Sequence, residues 1–149
     1  MELDDAERSA ILEDLAGAQT GFGIEGPGIE AHRRSPTCGD DMTVRVGVVD
    51  GTIRTLRWQG HGCVVSRAAA SALAAVAPGI TTTEFTSLAA AYLASLEPDA
   101  APVPSPADRS LEDLDVFAGI GRFPLRAGCA SLAWRATLDA LEPRDIPRA

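Results

Sequence analysis

Cys38, Cys63 and Cys129 are scattered along a chain of 149 residues, and each has a glycine beside it: Thr37-Cys38-Gly39-Asp40, Gly60-His61-Gly62-Cys63 and Arg126-Ala127-Gly128-Cys129. Thiols so dispersed meet only if the fold gathers them. Asp40 adds a hard oxygen two residues after the first sulfur. Three thiolates and one carboxylate make four donors, the number a tetrahedral zinc ion takes. Closed structural zinc sites are built from cysteine and histidine, so an oxygen donor points to a site that exchanges a ligand. Gly39, Gly62 and Gly128 let backbone approach a ligand or turn sharply. That favours metal or sulfur chemistry over three small thiols packed as hydrophobes.

Other side chains near these motifs have more than one reading. His61, two residues before Cys63, is an outer group of the site, an alternative ligand, or an exposed loop histidine. Arg126, three residues before Cys129, either holds a thiolate or persulfide by charge or is simply solvated. His32 reads as surface, and Trp58 and Trp134 read as core.

Composition narrows the class. The length suits one domain, residues 1–149, and 46% hydrophobic residues suffice for a core without disulfides. An odd number of cysteines would leave one thiol outside any closed disulfide framework. No N-terminal basic-then-apolar leader and no membrane span is read, so the expectation is a cytoplasmic, reducing setting with free thiols. A net charge of -8 argues against nucleic acid, which calls for a basic face. Every basic residue is arginine. Without lysine there is no Schiff-base chemistry and no Walker-type phosphate loop.

The elements that must position the donors follow from local pattern. Residues 5–19 carry Ile11, Leu12 and Leu15 on one helical face. Residues 20–37, rich in Gly and Pro, read as a loop or lead-in. Residues 42–50 alternate, with Val44, Val46 and Val48 on one side. Asp50-Gly51 is a two-residue hairpin turn, and residues 52–59 return with Arg54, Leu56 and Trp58 on one face. Cys38 therefore enters a hairpin and Cys63 leaves it.

Residues 66–76 are an alanine-rich helix stopped by Pro78-Gly79, and Thr81, Thr82 and Thr83 offer caps for a helix ending at Leu96. The proline-rich stretch 97–109 reads as a linker or surface loop. Ser110 caps a short helix, residues 111–117, and a last helix spans about 130–141. On this reading Cys63 and Cys129 both sit at helix N-termini, where the macrodipole favours thiolate.

Taken in order, Pro36-Thr37-Cys38-Gly39-Asp40, then Gly60-His61-Gly62-Cys63 leading into Ser66-Arg67-Ala68, then Arg122-Phe123-Pro124-Leu125-Arg126-Ala127-Gly128-Cys129, the chain resembles the IscU/NifU N-terminal family. Within it the SufU branch is the most similar. The 66-residue interval from Cys63 to Cys129, with its proline-rich part, is similar to the insertion that sets SufU apart, and Gly128 stands where IscU proteins carry histidine.

The resemblance implies an α+β fold: a small, mainly antiparallel three-stranded sheet with helices packed on one face. It implies zinc held by Cys38, Asp40, Cys63 and Cys129, and a zinc-dependent sulfur acceptor serving a SufS-type, pyridoxal-phosphate-dependent cysteine desulfurase. Cys38 is then the persulfide acceptor, and downstream SUF scaffold proteins are further partners. The alternative is a scaffold that assembles a [2Fe-2S] cluster, because thiolates suit iron as well as zinc. A purely structural zinc is disfavoured by Asp40.

Overall fold

The computed structural model describes residues 3–36, 39–105 and 111–142. Its order is α1 (Asp5–Ala18), β1 (Ile29–Arg34), β2 (Asp41–Val49), β3 (Thr52–His61), α2 (Val64–Val76), α3 (Thr82–Ser95) and α4 (Pro124–Leu141), with 3-10 turns at Glu112–Phe117 and Ile120–Arg122. The strands form one antiparallel sheet in the order β1-β2-β3. Helices α2 and α4 pack on it, and α1 and α3 pack on those helices. The expected α+β fold is what the chain adopts. No helix among the described residues is long and apolar enough to cross a membrane.

The β2–β3 hairpin turns where the sequence says. Asp50 and Gly51 both take positive φ, 52° and 75°, as a type I′ turn requires. Val44 and Val46 are fully buried on its inner face. The return strand departs from simple alternation. Gly47 pairs with Thr55 but Val48 pairs with Ile53, so Arg54 is an extra, bulged residue. The bulge shifts the phase: Ile53 goes into the core while Arg54 and Thr55 face solvent. Arg54 therefore does not share a face with Leu56 and Trp58.

The Gly/Pro-rich lead-in also holds a strand. Residues Ile29–Arg34 pair along β2, from Ile29 opposite Val46 to Arg34 opposite Asp41. As an edge strand exposed at nearly every position, β1 has no alternation to read. His32 lies on it, exposed, with Nε2 3.5 Å from Asp41.

The helices start on local chemistry. Asp4 with Glu7 and Thr81 with Glu84 form capping boxes at α1 and α3. Helix α4 opens at Pro124, six residues before the expected start, because proline is suited to the first helical turn, where its missing N–H costs nothing. Ser110, the expected cap of the first 3-10 turn, and part of the proline-rich stretch lie outside the described residues.

Beneath α4 the core is aromatic. Trp134 and Tyr92 stack with centroids 4.0 Å apart, Phe85 also stacks on Trp134 at 5.8 Å, and all three are fully buried. Tyr92 donates its hydroxyl to the Ala130 carbonyl at 2.8 Å, and Trp134 donates Nε1–H to the Ala69 carbonyl of α2 at 3.2 Å. Trp58 is likewise core.

Candidate metal centre

Three of the four expected donors converge. One ligand atom each from Asp40, Cys63 and Cys129 lies within 4.8 Å of the others. Cys38, the fourth donor and expected persulfide acceptor, lies outside the described residues. The cluster stands where the start of β2, the end of β3 and the second turn of α4 meet. Its exposure is graded: Cys63 is open to solvent, Asp40 half-buried and Cys129 buried.

Each donor is placed by a separate piece of local structure. Asp40 precedes β2, and its carbonyl accepts from the Ser35 amide at 2.8 Å, which pins the two ends of the β1–β2 connection together. Cys63 is the N-cap residue of α2, as the sequence suggests, and its carbonyl accepts the first helical bond from Arg67. Cys129 is not at a helix start. It lies five residues after Pro124, beyond the first turn, where the dipole effect has faded. What fixes Cys129 is packing: it is 4% exposed and precedes Ala130, whose carbonyl Tyr92 holds.

The glycines divide in the same way. A side chain on Gly62 would come within 2.7 Å of the Ser66 Cβ, so that glycine allows a close approach beside Cys63. Gly39 takes φ of 75° before Asp40. Gly128 has open space around it and sits in regular helix, so its place beside Cys129 answers no steric need.

A residue that sequence reading passed over joins the site. Ser66 donates its hydroxyl to Asp40 Oδ2 at 2.6 Å, and the Cys63 amide donates to the same oxygen at 3.2 Å. Ser66 Oγ is also 3.7 Å from Cys63 Sγ. Asp40 thus caps α2 from another segment of chain, where the Cys63 side chain makes no cap bond. The signal for Ser66 was its position three residues after an N-cap, on the same side of the first helical turn.

Electrostatics favour anions at both outer donors. Burial opposes charge on Asp40, but hydrogen bonds from Ser66, the Cys63 amide and the two thiols outweigh it, and the carboxyl stays below its ordinary range. The Cys63 thiol is drawn down to about 6, chiefly by its hydrogen bond with Cys129. Burial works against that, the amide and hydroxyl of Ser66 assist, and the Asp40 charge opposes.

The donor set suits zinc. Bond lengths of about 2.3 Å to sulfur and about 2.0–2.2 Å to oxygen put tetrahedral donors roughly 3.5–3.8 Å apart. Donors already gathered within 4.8 Å reach that by small side-chain rotations. The other two expected neighbours stand further out. His61 ends β3 opposite Asp41, exposed, and is not among the gathered donors. Arg126 lines an open depression of about 330 Å³ with Cys63, Val64, Leu12 and Glu13, and its guanidinium lies 5.6 Å from the centre of the Phe123 ring.

Known proteins resemble the chain in sequence and in fold. The family of NifU-like N terminal domains matches residues 19–130. An iron-sulfur cluster assembly scaffold protein IscU of Streptococcus pyogenes serotype M1 is 29% identical over 77% of this chain and 70% of its own. A zinc-dependent sulfurtransferase SufU of Bacillus subtilis is 25% identical over 90% of this chain and 88% of its own. The crystal structure of the N-terminal part of a NifU-like protein from Brucella abortus superposes with a TM-score of 0.77. It is 22% identical and covers 88% of this chain and 89% of that one, a likeness of fold.

Proposed function

We propose, from the premise that this chain belongs to the family of NifU-like N terminal domains, that it is a zinc-dependent sulfur acceptor in iron-sulfur cluster assembly. The sulfur would come from a SufS-type, pyridoxal-phosphate-dependent cysteine desulfurase and pass to SUF scaffold proteins, in a reducing cytoplasm. One observation carries the reading: an oxygen donor, Asp40, stands with one exposed and one buried sulfur donor and has hydrogen-bond partners of its own. A carboxylate with other partners gives up a metal at modest cost, whereas a closed set of thiolates does not.

Bound zinc would keep the thiols deprotonated near neutral pH. Cys129, packed into α4, and Cys63, fixed at the start of α2, serve as anchors. Asp40 is the ligand that yields. Cys38, on the connection ahead of β2, is the acceptor. Its thiolate attacks the outer sulfur of the desulfurase persulfide; the S–S bond there breaks, the desulfurase cysteine leaves as thiolate, and Cys38 keeps the sulfur with its proton.

The test supplies the desulfurase and isotopically labelled cysteine, traps the thiols by alkylation and maps the peptides by mass spectrometry. Label on Cys38 is expected. Label chiefly on Cys129 reassigns the acceptor, and no label on any cysteine overturns sulfur transfer. Protein purified without added metal should carry about one zinc per chain, with Cys63→Ser and Cys129→Ser each losing most of it. Full zinc in both variants rules out the shared site.

A second reading, a scaffold on which a [2Fe-2S] cluster is built, is favoured by the IscU relative at 29% identity. The same thiolates suit iron. Elemental analysis beside a visible spectrum separates the two: colourless zinc protein supports sulfur transfer, and iron with charge-transfer bands supports the scaffold.

A further inference from the structure

We propose that Ser66 is a positioning residue for the metal centre, acting through Asp40: its hydroxyl turns the carboxylate so that one oxygen, Oδ1, faces the two sulfurs. The inference rests on the zinc reading above.

Ser66 is the third residue of α2 and is 1% exposed, yet its hydroxyl reaches out of the helix to a residue 26 positions earlier. A serine in a first helical turn commonly serves its own helix; this one serves another segment. Its proton goes to Asp40 Oδ2, and the Cys63 amide goes to the same oxygen. With both donors on Oδ2, Oδ1 carries neither bond. A carboxylate held in this way presents a single oxygen rather than both. Because the two donors stay in place when Oδ1 lets go, the released carboxylate remains at the mouth of the site, ready to return.

Gly62 belongs to the same device. A side chain there would meet the Ser66 Cβ at 2.7 Å, the Ser66 Oγ at 3.2 Å and the Met42 Cε at 3.1 Å, and the Gly62 backbone is not in the left-handed region, so alanine is disfavoured by crowding and not by backbone strain. Outer partners of metal ligands are worth roughly 10–100-fold in affinity where they have been removed. The hydroxyl also lies 3.7 Å from Cys63 Sγ, so its loss could act through the sulfur instead. The experiment must separate these two routes.

Zinc affinity is measured by chelator competition for wild type, Ser66→Ala, Asp40→Ala and the double variant. Ser66→Ala is expected to weaken zinc by about tenfold or more. In the Asp40→Ala background the same change should alter affinity by less than about twofold, because the group it acts through is gone. Gly62→Ala, which crowds the hydroxyl without removing it, should weaken zinc in the wild-type background and not in Asp40→Ala. The three single variants should keep the wild-type circular dichroism spectrum without metal. Undiminished affinity in Ser66→Ala overturns the inference, as does an equal loss in both backgrounds, which assigns Ser66 to Cys63 or to the fold. A wild-type protein that takes up no zinc fails the preceding reading itself, which is a different result.

Discussion

Cys129 lies in the second turn of α4, 4% exposed, on the helix that carries Trp134 of a stack of three fully buried rings, with Tyr92 bonded to the carbonyl of the very next residue. Cys63 lies at the open end of α2, exposed, and besides Cys129 its neighbours are polar: the Ser66 hydroxyl and the Asp40 carboxylate, which accepts the Cys63 amide. One sulfur is held by the core and the other by a small polar network. A core gives way only when it is unpacked, whereas hydrogen bonds can be exchanged one at a time. A site assembled from both kinds of support has a fixed wall and an adjustable rim, and the proposed exchangeable ligand, Asp40, belongs to the rim.

The largest effect should come from breaking the fixed wall. Trp134→Ala removes a fully buried ring that stacks on Tyr92 and Phe85 and ties α4 to α2 through Ala69. Truncations of this kind cost about 3–5 kcal/mol. Urea unfolding of the metal-free protein measures it. Cys63→Ala, at an exposed rim position, should cost about 0.5 kcal/mol or less in the same assay run below about pH 6, where the Cys63 thiolate adds little. Equal losses for the two variants would erase the distinction between wall and rim.

A smaller effect should separate the two sulfurs by pH. In the metal-free protein the Cys63 thiol is held at about 6, with its hydrogen bond to Cys129 the leading cause. A depressed pKa means the folded state favours the thiolate. The resulting stabilisation is whole above the ordinary thiol value of 9.0, shrinks as pH falls below it, and is gone below about 6. Unfolding free energies between pH 6 and 9 should therefore rise with pH in wild type and rise less in Cys63→Ala. The same slope in both would show that another group titrates.

Wall and rim were also unequally legible in the sequence. The hairpin could be read because Asp50-Gly51 carries its turn in two residues, and α3 because Thr81 and Glu84 form its cap locally. The gathering of Asp40, Cys63 and Cys129 was legible from residue types and from motif order, although the support for Cys129 was misjudged. A start at about residue 130 leaves the opening of α4 unread and puts Cys129 at a helix end, whereas Pro124 suits a first helical turn and begins the helix. Edge strand β1 and the Arg54 bulge were hidden for a different reason. Both depend on pairing with β2, which leaves no period in the strand's own residues. Ser66 was missed because its partner is in another segment of the chain.

The smallest effect tests whether the outer end of α4 belongs to the wall. Arg33 on β1 grips Asp139 with two bonds, Nε to Oδ2 at 2.6 Å and Nη2 to Oδ1 at 3.0 Å. The geometry is good, and the bond to Asp139 raises the Arg33 pKa further above its already high ordinary value, so the pair stays charged throughout the neutral range. Yet the two side chains are 43% and 38% exposed, and water screens such a pair. Asp139→Asn should cost less than about 1 kcal/mol, and the difference should shrink further in about 1 M salt. Zinc affinity should not change, because the aromatic stack under Trp134 stands between Asp139 and Cys129 along the helix. A loss above about 2 kcal/mol, or weaker zinc binding, would mean that this surface pair shares in anchoring Cys129 and that the core alone does not fix the wall.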